Sequence, residues 1–345
     1  MDNVSEFWYI WVDTGGTFTD CLAQSPTGEI SRVKVLSTGR LRATVSMVLA
    51  QDQLVISCST TLPDNFLVGA NLIASTTGIQ VGEILQHDIR SGKCQLRRAM
   101  DHQLCSGELL ELDFGMEAPV LAARLITQTP PERPLPRAAF HLATTKSTNA
   151  LLERKGDPTA FVVTKGFKDL LKIGDQRRPD LFALNIDQAD PLHDLVFEFD
   201  ERMDALGDVL KPFDDEAFHQ LSDALLQAGF TTVAIAFLHA VQNSEHERKA
   251  REILQGKGIR HISCSSELAP FVKILPRAET SVVNAYLTPL MERYLDGVES
   301  ALSGGDFRIM TSAGGFVSRR DYRAKDSLFS GPAGGVVGAS TIAHQ

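Results

Sequence analysis

Residues 8–20 read WYIWVDTGGTFTD, an apolar run followed at once by an acidic octapeptide rich in glycine and threonine. The apolar part, Trp8–Val12, is short enough for a buried strand. A second apolar run begins at Cys21, so Gly15 and Gly16 predict the turn between two antiparallel strands. Glycine allows a sharp bend, and backbone amides at such a bend are well placed to face a phosphate.

The side chains of this octapeptide are those that a nucleotide phosphate requires. Thr14, Thr17 and Thr19 are predicted to offer hydroxyl donors to the same phosphate oxygens. Asp13 and Asp20 are candidate ligands of a hydrated magnesium ion, which prefers carboxylate, water and phosphate oxygens. The alternative is a hairpin turn with solvated threonines and a surface aspartate, which suits a lone G-G-T better than the whole D-T-G-G-T-F-T-D.

Composition limits the class of protein. The chain has 345 residues, 43% hydrophobic and 22% charged, as in an ordinary globular protein of two or three domains. Its formal net charge is -9, which argues against a nucleic-acid partner because such binding uses a basic face. No apolar run approaches membrane-spanning length, and the polar start is unlike a signal peptide. The cytoplasm is therefore the expected compartment, with no membrane partner.

The five cysteines are dispersed, without a C-x-x-C pair. This pattern favours reduced thiols over a disulfide framework or a zinc site. Cys58 and Cys264 lie in apolar runs and are expected to be core thiols rather than nucleophiles.

The pattern of apolar runs divides the chain into four parts. The first opens as consecutive antiparallel strands, the second is β-rich, the third alternates strands and helices, and the fourth closes with a glycine-rich turn running into a helix of small residues. The predicted domain ranges are 1–37, 38–136, 137–310 and 311–345. The second range is expected to be an all-β insertion, with a barrel as one candidate architecture, and it ends in a Pro-rich linker.

Three local signals add expectations. Val120–Thr127 is the last apolar run of the β-rich range and is expected to continue its strand pattern. Ser244, with Glu247 three residues later, predicts a helix start with a capping box. Glu279–Leu302 is the longest helical stretch, and Pro289 is expected to interrupt it.

A second motif, T-T-K-S-T-N-A-L-L-E-R-K-G, occupies residues 144–156. Thr145 follows a predicted strand, and Asn149 lies at the start of a predicted helix, where backbone N–H groups favour anions. A simple N-cap role for Ser147 or Thr148 explains the same residues equally well.

Together these motifs resemble the hydantoinase A/5-oxoprolinase family. The octapeptide is similar to the first phosphate-binding motif of the actin-like ATPase superfamily. The family pattern continues with residues 144–156, R-A-E-T-S-V-V-N-A-Y-L at 277–287 and S-G-P-A-G-G-V-V-G-A at 330–339. The sequence departs from the pattern at Leu142-Ala143, where the family usually has His-Gly, and at Lys273–Pro276, where it often has acidic residues.

The resemblance implies an α/β fold with a ribonuclease-H-like, actin-like ATPase core and an all-β insertion. It implies ATP-dependent ring opening of a cyclic amide such as 5-oxoproline or a hydantoin, through phosphorylation of the substrate carbonyl. ATP and Mg²⁺ are the implied cofactors. The implied ligands of ATP are Thr14, Gly15, Gly16, Thr17 and Thr19, and those of the metal are Asp13 and Asp20. The implied catalytic residues are Asp13, Thr145 and Asn149.

Arginines on predicted loops and helices are weaker candidates. Arg177 and Arg178 precede a proline on a loop, and guanidinium groups suit a substrate carboxylate or a phosphate. A solvated surface pair is the alternative for these two residues. For Arg277 and Asn284, pairing on a helix surface explains the residues as well as a functional role does.

The resemblance also implies partners. A hydantoinase B-type subunit or domain is expected to open the activated ring, and the full-length protein is expected to form homo- or hetero-oligomers. The family's second phosphate motif and its adenosine motif come later than residue 345, so the chain is expected to be a partial enzyme that binds nucleotide weakly. Two alternatives stay open: an acetone-carboxylase-type subunit, and a non-catalytic assembly module that retains the fold.

Overall fold

The computed structural model describes residues 7–176, 182 and 189–343, and the chain divides into two compact units. The first unit is drawn from residues 1–146, 293–322 and 326–345, and the second from residues 147–292 and 323–325.

The secondary structure is mixed. The strands are β1 Trp8–Thr14, β2 Phe18–Gln24, β3 Ile30–Leu36, β4 Arg40–Ala50, β5 Gln53–Cys58, β6 Asn71–Ala74, β7 Gln80–Asp88, β8 Lys93–Leu96, β9 Leu109–Asp113, β10 Ala138–Thr144, β11 Ala160–Thr164, β12 Leu195–Phe199, β13 Arg202–Met203, β14 Val209–Lys211, β15 Thr232–Ala236, β16 His261–Cys264, β17 Gly305–Met310 and β18 Phe316–Ser318. The helices are α1 Ala118–Ile126, α2 Lys146–Leu152, α3 Leu170–Ile173, α4 Asp215–Gln227, α5 Glu245–Gly256, α6 Ser265–Leu268, α7 Ile274–Ser300 and α8 Ser330–Ala343, with a 3₁₀ turn at Ala324–Ser327.

A six-stranded sheet in the order β18-β17-β10-β1-β2-β3 organises the first unit. Strands β1, β2 and β3 are antiparallel to one another, as the sequence predicts, whereas β1, β10 and β17 are parallel. Side chains alternate between two faces along β1: Ile10 and Val12 are buried, while Tyr9 and Trp11 are exposed. Helix α1 packs on β1, β2 and β3.

A closed barrel of six strands, in the order β4-β5-β8-β7-β6-β9, also belongs to the first unit. The expected β-barrel is therefore present. Its interior is filled by apolar side chains with no exposed surface, including Val45, Leu54, Leu72, Ile84 and Leu110. Closing the sheet satisfies the strand edges that an open sheet leaves unpaired.

The expectation of a strand at Val120–Thr127 is wrong, because these residues belong to helix α1. Pro119 lies in the first turn, where its missing N–H is no loss to the helix. The run is rich in alanine, and its residues from Ala118 to Leu125 are all buried. A short continuous apolar run does not by itself distinguish a strand from a helix that is buried all round.

The second unit is built on a parallel sheet in the order β12-β11-β15-β16. All residues of β11 and β15 are buried, because helices cover both faces of the sheet. One face packs against the cluster that contains Phe218 and Leu254, and the other against Ala278 and Val282.

Two expectations about helices in this unit are wrong. Ser244 makes no side-chain cap at the start of α5; instead the Asn243 side chain accepts a hydrogen bond from the Glu245 amide at 3.0 Å. Helix α7 runs through Pro289 without a break. Leu287 and Met291, on either side of the proline, have no exposed surface, so packing offsets the hydrogen bond that proline removes.

Glu247 is not a capping residue but the centre of a buried polar network. Its carboxylate accepts hydrogen bonds from the Phe237 amide at 3.0 Å, the Ser265 hydroxyl at 2.7 Å and the Ser266 hydroxyl at 2.6 Å. Arg277 lies 3.9 Å from this carboxylate and donates to the Ser265 hydroxyl and, at 2.9 Å, to the Phe237 carbonyl. Burial lowers the pKa of Arg277, and the charge of Glu247 opposes that shift.

The surface interpretation of Arg277 and Asn284 is therefore wrong, since both side chains are buried. Asn284 donates to the Ser263 hydroxyl at 2.9 Å and ties α7 to β16. Nearby, the ring of Tyr286 fills the space where a side chain at Gly156 would lie: an added Cβ would approach the ring to 2.3 Å. Gly156 of the motif at 144–156 and Tyr286 of the motif at 277–287 thus meet within the second unit.

Replacing Arg277 by methionine should destabilise the protein by about 3 kcal/mol, because it leaves the buried Glu247 carboxylate without its cation. Urea unfolding would measure the loss, with the exposed Arg248→Met on α5 as the matched control. A loss below about 1 kcal/mol for Arg277→Met would show that the hydrogen bonds from serines and amides suffice for Glu247.

Candidate functional site

The octapeptide of residues 13–20 forms the hairpin that joins β1 to β2. Asp13 pairs with Asp20 across the two strands, and Thr14 pairs with Thr19. The turn closes through a hydrogen bond of 3.0 Å from the Gly15 amide to the Phe18 carbonyl. The Gly15 amide is therefore used within the hairpin, which differs from the expectation that it faces a ligand.

The need for glycine at position 15 comes from close packing. Neither Gly15 nor Gly16 adopts a positive φ, so the sharp bend expected from the sequence does not use the left-handed region. A Cβ at Gly15 would lie 3.1 Å from the Phe18 carbonyl oxygen, which is tighter than ordinary contact. The amides of Gly16 and Thr17 have no hydrogen-bond partner among the described residues.

The pleat of the hairpin separates the predicted ligands onto two faces. Asp13 and Asp20 lie on the open face. Thr14 and Thr19, with 5% and 0% exposure, lie on the face that α1 covers. The expectation that all three threonine hydroxyls face the same oxygens is wrong, because the side chains alternate along each strand. The assignment of Thr14, Gly15, Gly16, Thr17 and Thr19 to ATP stays a prediction.

The two buried threonines have structural contacts instead. The Thr14 hydroxyl accepts a hydrogen bond of 3.4 Å from the Tyr294 hydroxyl, and the Thr19 and Ser37 hydroxyls lie 3.0 Å apart. Burial raises the pKa of Tyr294, so its hydroxyl stays protonated and able to donate. These contacts fix the base of the hairpin, whereas Gly16 and Thr17 form its exposed tip.

The two aspartates have opposite electrostatic states. Burial, and then the charge of Asp20, raise the pKa of Asp13. For Asp20, partial burial is outweighed by hydrogen bonds from Lys34 and Arg32, both at 2.9 Å, which lower its pKa. Asp13 forms no ion pair within the described part of the chain. In the hairpin, the charge of Asp20 is therefore neutralised by cations, whereas Asp13 lacks a cation among the described residues.

A cavity of about 330 Å³ lies on the open face, lined by both aspartates. Trp11 and His141, which are paired across β1 and β10, stack with ring centroids 6.0 Å apart, and Phe316 meets the His141 ring edge-on at 5.0 Å. Arg32 is the cation among the described residues that line the cavity. The side facing Asp13 is thus aromatic and apolar, with its charge concentrated at the hairpin.

His141 is a site residue that the sequence reasoning missed. Leu142, which stands where the family usually has histidine, has no exposed surface and lies on the covered face. His141 lies one position earlier, on the same face as Asp13. Alternation along β10 was the signal that could have identified it, because His141 and Ala143 have the same parity.

Thr145 joins the end of β10 to the end of β1. Its amide and hydroxyl donate to the Thr14 carbonyl at 2.9 and 3.3 Å. Ser330, at the start of α8, donates its hydroxyl to the Thr144 carbonyl at 2.9 Å. Gly331 and Gly334 of this helix line the same cavity as Asp13.

Asn149 lies in α2 and is assigned to the second unit. Arg177 and Arg178 lie outside the described residues. Their roles, like the catalytic roles of Asp13 and Thr145, stay predictions.

Of the two cysteines expected to be core thiols, Cys264 is buried, whereas Cys58 is only partly buried. Burial raises the pKa of Cys264, which is buried at the end of β16, and raises the pKa of Cys58 to about 11. Neither thiol carries appreciable thiolate at neutral pH, so neither has the character of an activated nucleophile.

Clusters of three or more His, Cys, Asp or Glu side chains able to hold a metal ion are absent from the described residues. In the same residues, no helix combines the length and apolar character that crossing a membrane requires.

A mixed α/β chain with a β-barrel and a D-T-G-G-T-F-T-D hairpin at a cavity is the class of protein that the sequence resemblance implies. Comparison with family models agrees. The model for the hydantoinase/oxoprolinase N-terminal region matches residues 9–119 and 122–258, and the hydantoinase/oxoprolinase model matches residues 277–345. The chain belongs to the hydantoinase/oxoprolinase family.

Two similar proteins are named as 5-oxoprolinases. The chain is 36% identical over 268 residues to the 5-oxoprolinase of Saccharomyces cerevisiae, a match that covers 66% of the chain and 21% of the relative. It is 38% identical over 256 residues to 5-oxoprolinase 1 of Arabidopsis thaliana, covering 65% and 20%. The chain thus spans about a fifth of the length of these relatives.

Among solved structures, a nucleotide-free acetone carboxylase has a similar fold. The TM-score is 0.60 at 18% sequence identity, and the match covers 98% of this chain and 40% of the other.

Replacing Asp13 by asparagine should stabilise the protein at pH 7, because it removes an exposed carboxylate whose pKa is raised by desolvation at the cavity and by the charge of Asp20. A carboxyl whose folded pKa is raised destabilises the fold above that pKa, and the effect is absent below the unfolded value of 3.8. The rise in thermal midpoint should therefore shrink as the pH falls toward 3.8. The control is Asp101→Asn, at an exposed position, which should leave the midpoint unchanged. A gain that is independent of pH would contradict the electrostatic explanation.

Proposed function

We propose that the chain is the nucleotide-binding part of an enzyme that uses ATP to open the ring of a cyclic amide such as 5-oxoproline or a hydantoin. The observation that carries this proposal is the hairpin of residues 13–20, which presents Asp13 and the free amides of Gly16 and Thr17 in a chain of the hydantoinase/oxoprolinase family. The names of the yeast and plant relatives support a cyclic amide as the substrate class.

The proposed core is of the ribonuclease-H-like, actin-like ATPase type. The sheet order β3-β2-β1-β10-β17, with three antiparallel strands followed by two parallel ones, supports this assignment. In this scheme residues 1–37 and 137–310 form the first lobe, residues 38–136 are an insertion, and residues 311–345 begin the second lobe.

Asp13 is the residue best suited to hold Mg²⁺. Its carboxyl lines the cavity without an ion pair among the described residues, and a nearby cation would offset the burial and repulsion that raise its pKa. Asp20 already binds Arg32 and Lys34, so we propose that it orients the site through these contacts or through water. When bound, the metal would neutralise charge on the phosphates.

The phosphates of ATP would bind at the tip of the hairpin. Gly16 and Thr17 are exposed and offer two amides and one hydroxyl, which is the donor set of a backbone anion site. Gly15, Thr14 and Thr19 would act by holding the tip in place through their contacts with Phe18, Tyr294 and Ser37.

The carbonyl of the cyclic amide is the proposed phosphoryl acceptor. Amides resist hydrolysis, and phosphorylation of the carbonyl oxygen makes the carbon a better electrophile for water. Phosphoryl transfer depends mainly on position and charge. We propose that Thr145 and Asn149 orient the acceptor and that Arg177 and Arg178 contact its anionic groups. A B-type subunit or domain would then open the ring.

Calorimetric titration of the chain with Mg·ATP tests the nucleotide site. We expect saturable heat that weakens at least tenfold in Asp13→Ala and is unchanged in the control Asp101→Ala. Equal heat from all three chains would place the nucleotide elsewhere. If none of the three binds, the same titration is repeated on a longer protein that continues past Gln345. Binding by the longer protein would indicate that further residues complete the site, and no binding would indicate that the hairpin has lost nucleotide binding.

A test of the substrate class requires the full-length protein together with the proposed B-type subunit or domain. We expect 5-oxoproline or a hydantoin to stimulate its ATP hydrolysis severalfold, because the acceptor completes the phosphoryl-transfer site. Stimulation by a ketone instead would favour a carboxylase of the acetone-carboxylase type. No stimulation by any amide or ketone, with the fold intact, would favour a non-catalytic assembly module.

A further inference from the structure

The β-barrel contains a cavity of about 480 Å³ that the proposed function does not use. Its walls are residues 55–62, which include the end of β5, His87 of β7 and residues 89–92 of the turn between β7 and β8, together with Ser46. Its volume is in the range that holds small metabolites. All of these residues belong to the first unit.

Hydroxyl groups and one cation dominate the lining. Ser57, Ser59, Thr60 and Thr61 line the cavity; Thr60 is half-buried and the other three are exposed, so their hydroxyls are accessible to a ligand. Arg90 lines it as well and forms no ion pair among the described residues. Aspartate and glutamate are absent from the described lining, so the cavity favours a negatively charged occupant.

His87 adds a buried polar atom to the same wall. Its Nδ1 is buried and has no hydrogen-bond partner among the described residues. Burial lowers the pKa of His87, against the opposing effect of Asp88, so the ring is neutral at pH 7 and retains one donor and one acceptor. Buried polar atoms are nearly always satisfied, and a ligand would satisfy this one.

The turn that carries Arg90 is held in place by backbone contacts. Gly92 has φ +69°, and a Cβ there would lie 2.3 Å from the Ile56 carbonyl oxygen. The Gly92 carbonyl accepts a hydrogen bond of 2.9 Å from the Ile56 amide. The Asp88 carboxylate is directed to the turn, where it accepts from the Arg90 amide at 3.1 Å and the Ser91 hydroxyl at 2.5 Å. The cavity wall is therefore built into the barrel.

We propose that this barrel cavity binds the carboxylate or phosphate group of a small polar molecule, with Arg90 pairing with the oxyanion and with Thr60, Ser59 and His87 as hydrogen-bonding partners. The guanidinium fork matches the geometry of both oxyanions. This site is separate from the hairpin of residues 13–20 and does not rest on the function proposed for it.

Calorimetric titration of the chain with inorganic phosphate, and separately with glutamate, tests the proposal. We expect one of the two probes to bind saturably, which identifies the phosphate or the carboxylate as the recognised group. Arg90→Gln should weaken that binding at least tenfold, and Thr60→Val should weaken it less. The matched control is Arg98→Gln, which removes the same charge from an exposed residue outside the cavity.

The outcomes separate the two sites. Phosphate binding that is kept in full in Arg90→Gln would lie outside the barrel cavity, and that result would overturn the barrel proposal. Equal weakening by Arg90→Gln and Arg98→Gln would also overturn it, because it would indicate a general charge effect. Absence of saturable binding by either probe would do the same.

Discussion

The parallel pairing of β1 with β10 is the contact on which the first unit depends. It joins Trp8–Thr14 to Ala138–Thr144, with β2, β3, the barrel and α1 all lying between these strands in sequence. The free-energy cost of closing a long loop rises only slowly with its length, so a folded barrel is tolerated in this connection. The same pairing places His141 beside Trp11 and Ala143 beside Asp13, and the register of one strand pair therefore sets the composition of the cavity.

Local patterning was enough to predict the hairpin, the antiparallel opening and the β-rich barrel. It also contained information about the site that the motif-based interpretation did not use. Thr14 and Thr19 have the parity of the buried residues Val12 and Cys21, whereas Asp13 and Asp20 have that of exposed positions. The interpretation of residues 13–20 as one set of ligands did not take this alternation into account, although the structure shows it along both strands.

Other features depend on partners that are distant in sequence, and no local pattern indicates them. Glu247 fits a capping box by spacing, yet its hydrogen bonds come from Phe237, Ser265 and Ser266, and its cation is Arg277. A charge next to a helix start is ordinarily solvated, so only the tertiary structure shows that this one is buried. Likewise, the run of α1 lacks the one-sided apolar pattern of a surface helix because Ala118–Leu125 are all buried, and that burial depends on elements distant in sequence.

The charges around Asp13 suggest why a nucleotide at this hairpin would depend on a metal ion. The described cation of the cavity, Arg32, is already paired with Asp20, and desolvation together with the charge of Asp20 raises the pKa of Asp13. A polyphosphate placed beside Asp13 alone would add repulsion to a group that is already unfavourably charged. A divalent cation between them would reverse the sign of both interactions. The Asp13 carboxylate would thus make phosphate binding depend on the metal ion. The proposed phosphoryl transfer requires this dependence, because it uses ATP together with Mg²⁺.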